Sequence, residues 1–510
     1  MSTVEVLQAT WQTLLVLFLC LAVTLPTGIF LALLIFRTDA VGRLMALVMV
    51  SSQIAVPLYA IAAGWNAGFG IQGWLTGMGW VPLEWFSAAG MTADWQRVAA
   101  VGAIHALAGI PWAVLMIGLG SLSTPLSAQW QAACDGGPWH VCRYVLLPQL
   151  RPWIALAALW CAVSVTTEMV ISNLYQVTTL PELIYLDATR GGLRARTYGT
   201  GIVAACGLWL LLLGVRRLFL PDKAPATHRF CWAPGQTIGL GKWRPWWSLA
   251  MWLVVLPLIG LPLVSLVIKA GWQPVTHPEG AMHYQWDLHR FVTTLRETCY
   301  NFGPEYAWSM QLAGASSLLA LGLAVVLHGI VARRWQWLVG ALVLGLLAVP
   351  GPLVGITITH LLNRAQPAWC GWLYDHTLAA PILAQQFRLL PLAWLGTLVV
   401  LSSLGNQGWE QARLDGLSRW QMWSRWILPV AGRRFLAIGI LLAVFSIGEL
   451  SCTILVLPPG VTTLSMRLFE MLHFGMRHQD SGLSGVLVLL GWIAVYALGK
   501  TLIGRNAPSS

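Results

Sequence analysis

Three charged residues stand where an apolar chain would ordinarily exclude charge. Glu168, Glu449 and Arg388 each fall inside a long hydrophobic stretch of this 510-residue sequence. A carboxylate or guanidinium in such a place is costly unless it is paired, turned into a helix bundle or set against a water-filled cavity. The chemistry open to the set is therefore ion pairing, gating of a passage, or contact with a cationic or metal substrate. Glu449 lies eight residues before the end of its stretch at Leu457, about 12 Å at 1.5 Å per helical residue. Arg388 lies seven residues inside an oppositely directed stretch. The matched depths predict a pair between Arg388 and Glu449 or Glu168. A structural or gating pair outweighs direct substrate contact, because a single sequence does not mark which helix face is wet. His105 and His360 read as packing residues. The nine cysteines form no C-x-x-C pair, so neither a metal cluster nor a disulfide framework is supported. Gly499-Lys500-Thr501 has the form of the end of a phosphate loop. Ala494 occupies the place of its required glycine, and the segment closes an apolar helix. No catalytic residue and no nucleotide-binding domain is expected.

The glutamates belong to a pattern that occurs twice. Pro111, Asp135-Gly136, Trp139, Leu147-Pro148, Glu168 and Val177-Thr178-Thr179-Leu180 form the first copy. Pro391, Asp415-Gly416, Trp420, Leu428-Pro429, Glu449 and Val461-Thr462-Thr463-Leu464 form the second. In both copies 24 residues separate the proline from the aspartate, 9 separate the tryptophan from the second proline, and 20 separate that proline from the glutamate. Two related halves imply two-fold pseudosymmetry, with any pathway on the axis between them.

The elements that carry these residues are membrane spans. The chain is 57% hydrophobic and only 10% charged, with mean hydropathy +0.69, whereas soluble domains carry about 25% charged residues. Eleven stretches approach or exceed the ~20 residues needed to cross a bilayer: 11–36, 41–64, 98–120, 153–176, 199–219, 248–269, 307–331, 336–361, 381–404, 434–457 and 482–503. No stretch alternates with period two, which argues against a β-barrel. The expected fold is an all-α integral membrane protein with about eleven transmembrane helices. Residues 1–220 form a first five-helix half, and 221–247, with Pro221, Pro225, Pro234 and Pro245, a cytoplasmic linker. Residues 248–510 form a second half with one extra leading helix.

Loops on one side hold 19 of the 30 Lys and Arg, which marks that side as cytoplasmic and puts the N-terminus outside and the C-terminus inside. The net charge of +11 is thus a matter of topology and of contact with lipid. The basic residues are scattered over short loops, a poor match to nucleic-acid binding. Two cytoplasmic loops, 121–152 and 405–434, are too long for tight connections. Each turns at Asp-Gly, a good turn signal, between amphipathic stretches. A bend presented twice at related places suits a dimeric partner. A lone loop of this kind would read as an ordinary interfacial segment.

The second loop, W409-E-Q-A-R-L-D-G-L-S-R-W-Q-M-W-S-R-W-I-L-P429, resembles the EAA loop of ABC importer permeases through Glu410, Ala412, Asp415, Gly416 and Pro429. The loop 129–148 is a degenerate copy. Gln131, Ala132, Asp135 and Gly136 hold its bend, and Trp130 stands in place of the glutamate. The resemblance implies two pseudosymmetric five-helix cores of the type I ABC permease kind in a bacterial inner membrane. It implies that an ABC ATPase homodimer, which binds the ATP and magnesium, grips both loops from the cytoplasm, and that a periplasmic or lipid-anchored solute-binding protein delivers substrate. Fused halves resemble the permeases for ferric iron and for thiamine. Residues 448–467, with Arg388 before Pro391, look more like the ferric-iron group, and thiamine or another small solute is the alternative. A secondary transporter with parallel repeats, using Glu168 and Glu449 as carriers, is the rival from another class.

Overall fold

The computed structural model describes residues 3–70, 73–78, 94–122, 126–191, 195–218, 238–276, 282–332, 334–363, 367–404, 414–418, 421–474 and 478–503. The protein is an all-α integral membrane protein. Among the described residues nine helices are long and apolar enough to cross a membrane, and eleven if two sharply bent pairs are each counted as one span.

The first half opens with α1 (Thr3–Arg37), α2 (Arg43–Ser52), α3 (Leu58–Phe69), α4 (Trp74–Gly77) and α5 (Asp94–Ser121). Next come α6 (Leu126–His140), α7 (Leu147–Thr167), α8 (Val170–Leu174), α9 (Leu180–Gly191) and α10 (Ala195–Leu218). The helix without a counterpart is α11 (Arg244–Val255) continued by α12 (Leu261–Gly271). It is followed by an antiparallel ribbon, β1 (Trp272–Thr276) with β2 (Met282–Trp286), and the amphipathic α13 (Leu288–Asn301). The remaining helices are α14 (Gly303–Ile330), α15 (Gln336–Gly345), α16 (Gly351–Leu362), α17 (Ala368–His376) and α18 (Ala379–Ser403). After these come α19 (Leu428–Gly448), α20 (Leu464–Phe474) and α21 (Gln479–Ile503).

Several expectations change. The stretches 41–64 and 336–361 are bent, not straight: the chain turns by 110° between α2 and α3 and by 100° between α15 and α16. The cause is legible in both places. Ala55-Val56-Pro57 and Ala348-Val349-Pro350 repeat the same tripeptide. A residue before proline is pushed out of the helical region, and Val56 (ψ 122°) and Val349 (ψ 126°) are extended. The stretches 153–176 and 434–457 end as helices at Thr167 and Gly448. Of the expected linker, 221–237 lies outside the described residues, while Gly241 already begins the next span.

The periodic match between halves extends into local geometry. Val141–Leu146 and Met422–Ile427 are both π-helical and lead into Leu147-Pro148 and Leu428-Pro429. Proline has no N–H and its ring crowds the carbonyl four residues back. A widened turn before it removes the clash. The π-turn Leu256–Gly260 leads in the same way into Leu261-Pro262, inside the span of α11 and α12.

The halves interlock. The last helix of each packs against the broken helix of the other: α10 on α15, and α21 on α3. Trp209 Nε1 donates to Ala341 O at 2.9 Å on one side. Beside the other, Tyr59 Oη of α3 reaches Ser465 Oγ of α20 at 2.9 Å. The α11–α12 span lies against α2 and α3 and is thus seated on the first half, although it leads the second.

Candidate functional site

Between the halves lies a cavity of about 220 Å³, lined by His105, Trp112, Trp160, Glu168, Arg388, Phe445, Glu449 and the bend at Pro57, among others. It forms where four helix breaks meet, at Val56, Glu168, Val349 and Glu449.

The glutamates do not lie within helices, as the sequence suggested. They stand immediately after them. Glu168 (φ −99°, ψ 132°) and Glu449 (φ −86°, ψ 118°) are extended, so a rise of 1.5 Å per residue does not set their depth. Each accepts hydrogen bonds from the turn that follows. Glu168 Oε1 accepts from Val170 N at 2.5 Å and Ser451 Oγ at 3.1 Å, and Oε2 accepts from Ile171 N at 3.2 Å. Glu449 Oε1 accepts from Cys452 N at 2.8 Å. A carboxylate suits this place because a restarting helix exposes N–H groups without intrahelical partners.

Arg388 serves the opposite ends. Its Nη1 donates to Leu347 O at 2.9 Å. Its Nη2 donates to Val349 O at 3.0 Å and, more weakly, to Thr167 O at 3.4 Å. These carbonyls were freed by the breaks at Val349 and Glu168. Arg388 Nε also faces Glu449 Oε2 at 4.0 Å. The partner of Arg388 is therefore Glu449, and the pair is partly buried. Among the described residues no lysine or arginine lies within 4.0 Å of the Glu168 carboxylate. Its neighbour is His105, with Nε2 3.8 Å from Oε2. His105 Nδ1 lies 3.4 Å from Ser164 Oγ. Reading His105 as mere packing missed its place in the cavity wall; its position three residues before Ala108, in register with Gln385 and Arg388, was the available signal.

A second pair of supports repeats between halves. Leu180 N, at the start of α9, donates to Thr13 Oγ1 of α1 at 2.8 Å, and Leu464 N, at the start of α20, donates to Ser309 Oγ of α14 at 2.8 Å. The Val-Thr-Thr-Leu runs are thus the entries to two short helices, each pinned to the first helix of its five-helix core.

Aromatic rings from both halves form part of the cavity wall. Trp112 and Trp160 have ring centroids 4.4 Å apart, and Phe445 stacks 5.6 Å from Trp112.

The two loops bend at glycines. In α6 the helix is kinked at Gly136 (φ −160°) and Gly137 (φ 74°), so the left-handed residue is Gly137, one place beyond the expected one. Asp135 and Gly136 are exposed, as is Gln131, while Ala132 packs inward with Ile117 and Leu146. The loop is tied to the end of α1 by a hydrogen bond from the buried Arg37 to Gln129 Oε1. In the second loop Gly416 (φ 69°) is left-handed, and it and Asp415 are exposed. Glu410 and Ala412 lie outside the described residues.

No protein-family model matches the chain, and no solved structure matches it. Two curated proteins are similar over nearly its whole length. The thiamine transport system permease protein ThiP of Salmonella typhimurium (strain LT2) is 25% identical over 534 aligned residues, spanning 98% of this chain and 88% of that one. ThiP of Escherichia coli (strain K12) is 24% identical over 525, spanning 97% and 88%. The ferric-iron group suggested by residues 448–467 finds no support in these relatives.

Proposed function

We propose that this chain is the membrane permease of an ATP-driven importer of the ABC class, fused from two halves, and that its substrate is thiamine. The observation that carries the reading is similarity running through both halves to proteins named as thiamine permeases. The doubled glycine bend supports the coupling part. Beyond each bend the same run of elements leads to the cavity: a π-turn, a Leu-Pro step, a 21-residue helix, then the glutamate. Twenty-one helical residues span about 31 Å. A push on the bends from a pair of ATPase subunits would move the helix ends carrying Glu168 and Glu449, and with them the cavity. On this reading the bends face the cytoplasm of a bacterial inner membrane, ATP and magnesium belong to the partner, and a solute-binding protein delivers substrate on the opposite side.

The test is uptake of labelled thiamine by proteoliposomes holding the chain with its ATPase and binding protein. Uptake should require ATP and all three proteins and should survive a protonophore. Uptake that continues without the ATPase, or that collapses with the proton gradient, would assign the chain to gradient-driven transport.

A further inference from the structure

We infer that the cavity between the halves is a recognition site for a flat aromatic monocation, with its ring against Trp112, Trp160 and Phe445 and its positive charge against Glu168. This deepens the reading above and rests on it for the identity of the natural substrate, but its chemistry comes from the cavity wall.

The argument starts from the places where the two halves stop repeating. Pairing on the shared prolines puts Arg388 opposite Ala108 and Leu392 opposite Trp112. Pairing on the glutamates puts Leu441 opposite Trp160. The scaffold residues repeat: the helix breaks, the glutamates and the π-turns. The residues that give the cavity its chemistry do not. Both tryptophans and the glutamate without an arginine come from the first half, and the arginine comes from the second.

The charge balance follows. Glu449 is matched by Arg388 at 4.0 Å. Glu168 has no lysine or arginine within that distance among the described residues. Counted by residue, the lining holds two carboxylates, Glu168 and Glu449, against one guanidinium, Arg388. An uncompensated carboxylate beside a low-dielectric wall favours one positive charge in the cavity. The aromatic faces favour the same ligand twice over, by stacking on a planar ring and by attraction of a cation to the ring face. An anionic ligand would meet the excess carboxylate, and a non-planar sugar would gain less from tilted indoles. The volume of about 220 Å³ is small for most ligand pockets, which run from ~300 Å³ upward, and suits a compact ring system.

Glu168→Gln removes the charge while its amide oxygen can still accept from Val170 N and Ser451 Oγ; of the three hydrogen bonds only that from Ile171 N is lost. The measurement is the KM for uptake of thiamine and of its neutral analogue with carbon in place of the charged ring nitrogen, in the reconstituted transporter. We expect Glu168→Gln to raise the KM for thiamine about tenfold or more and to leave that for the neutral analogue within about twofold. Trp160→Leu should raise both. Equal changes for the two compounds, or none, would overturn the site while leaving the thiamine reading intact. If the unaltered transporter does not take up thiamine, that reading fails by itself. The site is then judged by equilibrium binding of N1-methylnicotinamide against neutral nicotinamide to the full chain in nanodiscs. A preference for the cation that disappears in Glu168→Gln supports it, and no preference overturns it.

Discussion

At the scale of single residues, the site is built from backbone groups that helix breaks leave open. Each of the four breaks frees carbonyls on one side and N–H groups on the other, and inside an apolar bundle an unmet polar group costs several kcal/mol. Arg388 supplies donors at the breaks at Val349 and Glu168, and each glutamate supplies acceptors to the N–H groups that follow it. Arg388→Leu should therefore lower stability by about 3–5 kcal/mol, because it strands both three carbonyls and the partly buried Glu449 charge. The measurement is the thermal midpoint of the detergent-solubilised protein. Adding Glu449→Gln to that variant should recover part of the loss. A double variant no more stable than Arg388→Leu would show that the charge pair contributes nothing.

At the scale of elements, two features are open to test. The seam between α1 and α5 depends on small residues that let the backbones approach. A Cβ on Gly28 would lie 2.6 Å from Ala113 Cβ, while one on Gly199 of α10 would meet nothing within 4 Å. Gly28→Ala should cost about 1–3 kcal/mol, and Gly199→Ala should be neutral or stabilising by about 0.5–1 kcal/mol. Equal thermal midpoints for the two variants would refute the seam. The second feature is the elbow at Gly416. Its φ of 69° disfavours any side chain, at about 1–2 kcal/mol, and a β-branched one most of all. Gly416→Val should leave the protein in the membrane and abolish coupling. Substrate-stimulated ATPase activity of the reconstituted complex reads this directly, and unchanged stimulation would remove the elbow from the transmission path.

At the scale of the whole molecule, interlocked ends join the halves. The crossing of α10 onto α15 and α21 onto α3, with α11–α12 seated on the first half, makes the interface one of helix packing. Chains 1–220 and 238–510, produced together, should copurify and support transport. If they part in detergent, covalent linkage is what keeps the cavity closed. The same arrangement gives the proposed motor a simple task, since moving one half against the other changes the cavity that both line.

The repeat, the apolar stretches and the two Asp-Gly bends followed from sequence, because hydrophobic length and turn chemistry are local properties. The pairing of Arg388 with Glu449 was half legible: the sequence offered two carboxylates at matched depth, and only packing could choose between them. The helix breaks were written in Ala-Val-Pro but hidden by hydrophobicity, which does not distinguish a straight span from one folded back at 110°. Tertiary structure alone placed the glutamates after their helices. It also gathered Trp112, Trp160 and Phe445 onto one wall and left Glu168 without an arginine. Those outcomes depend on which faces of distant helices meet, and in a chain apolar all round no periodicity records that choice.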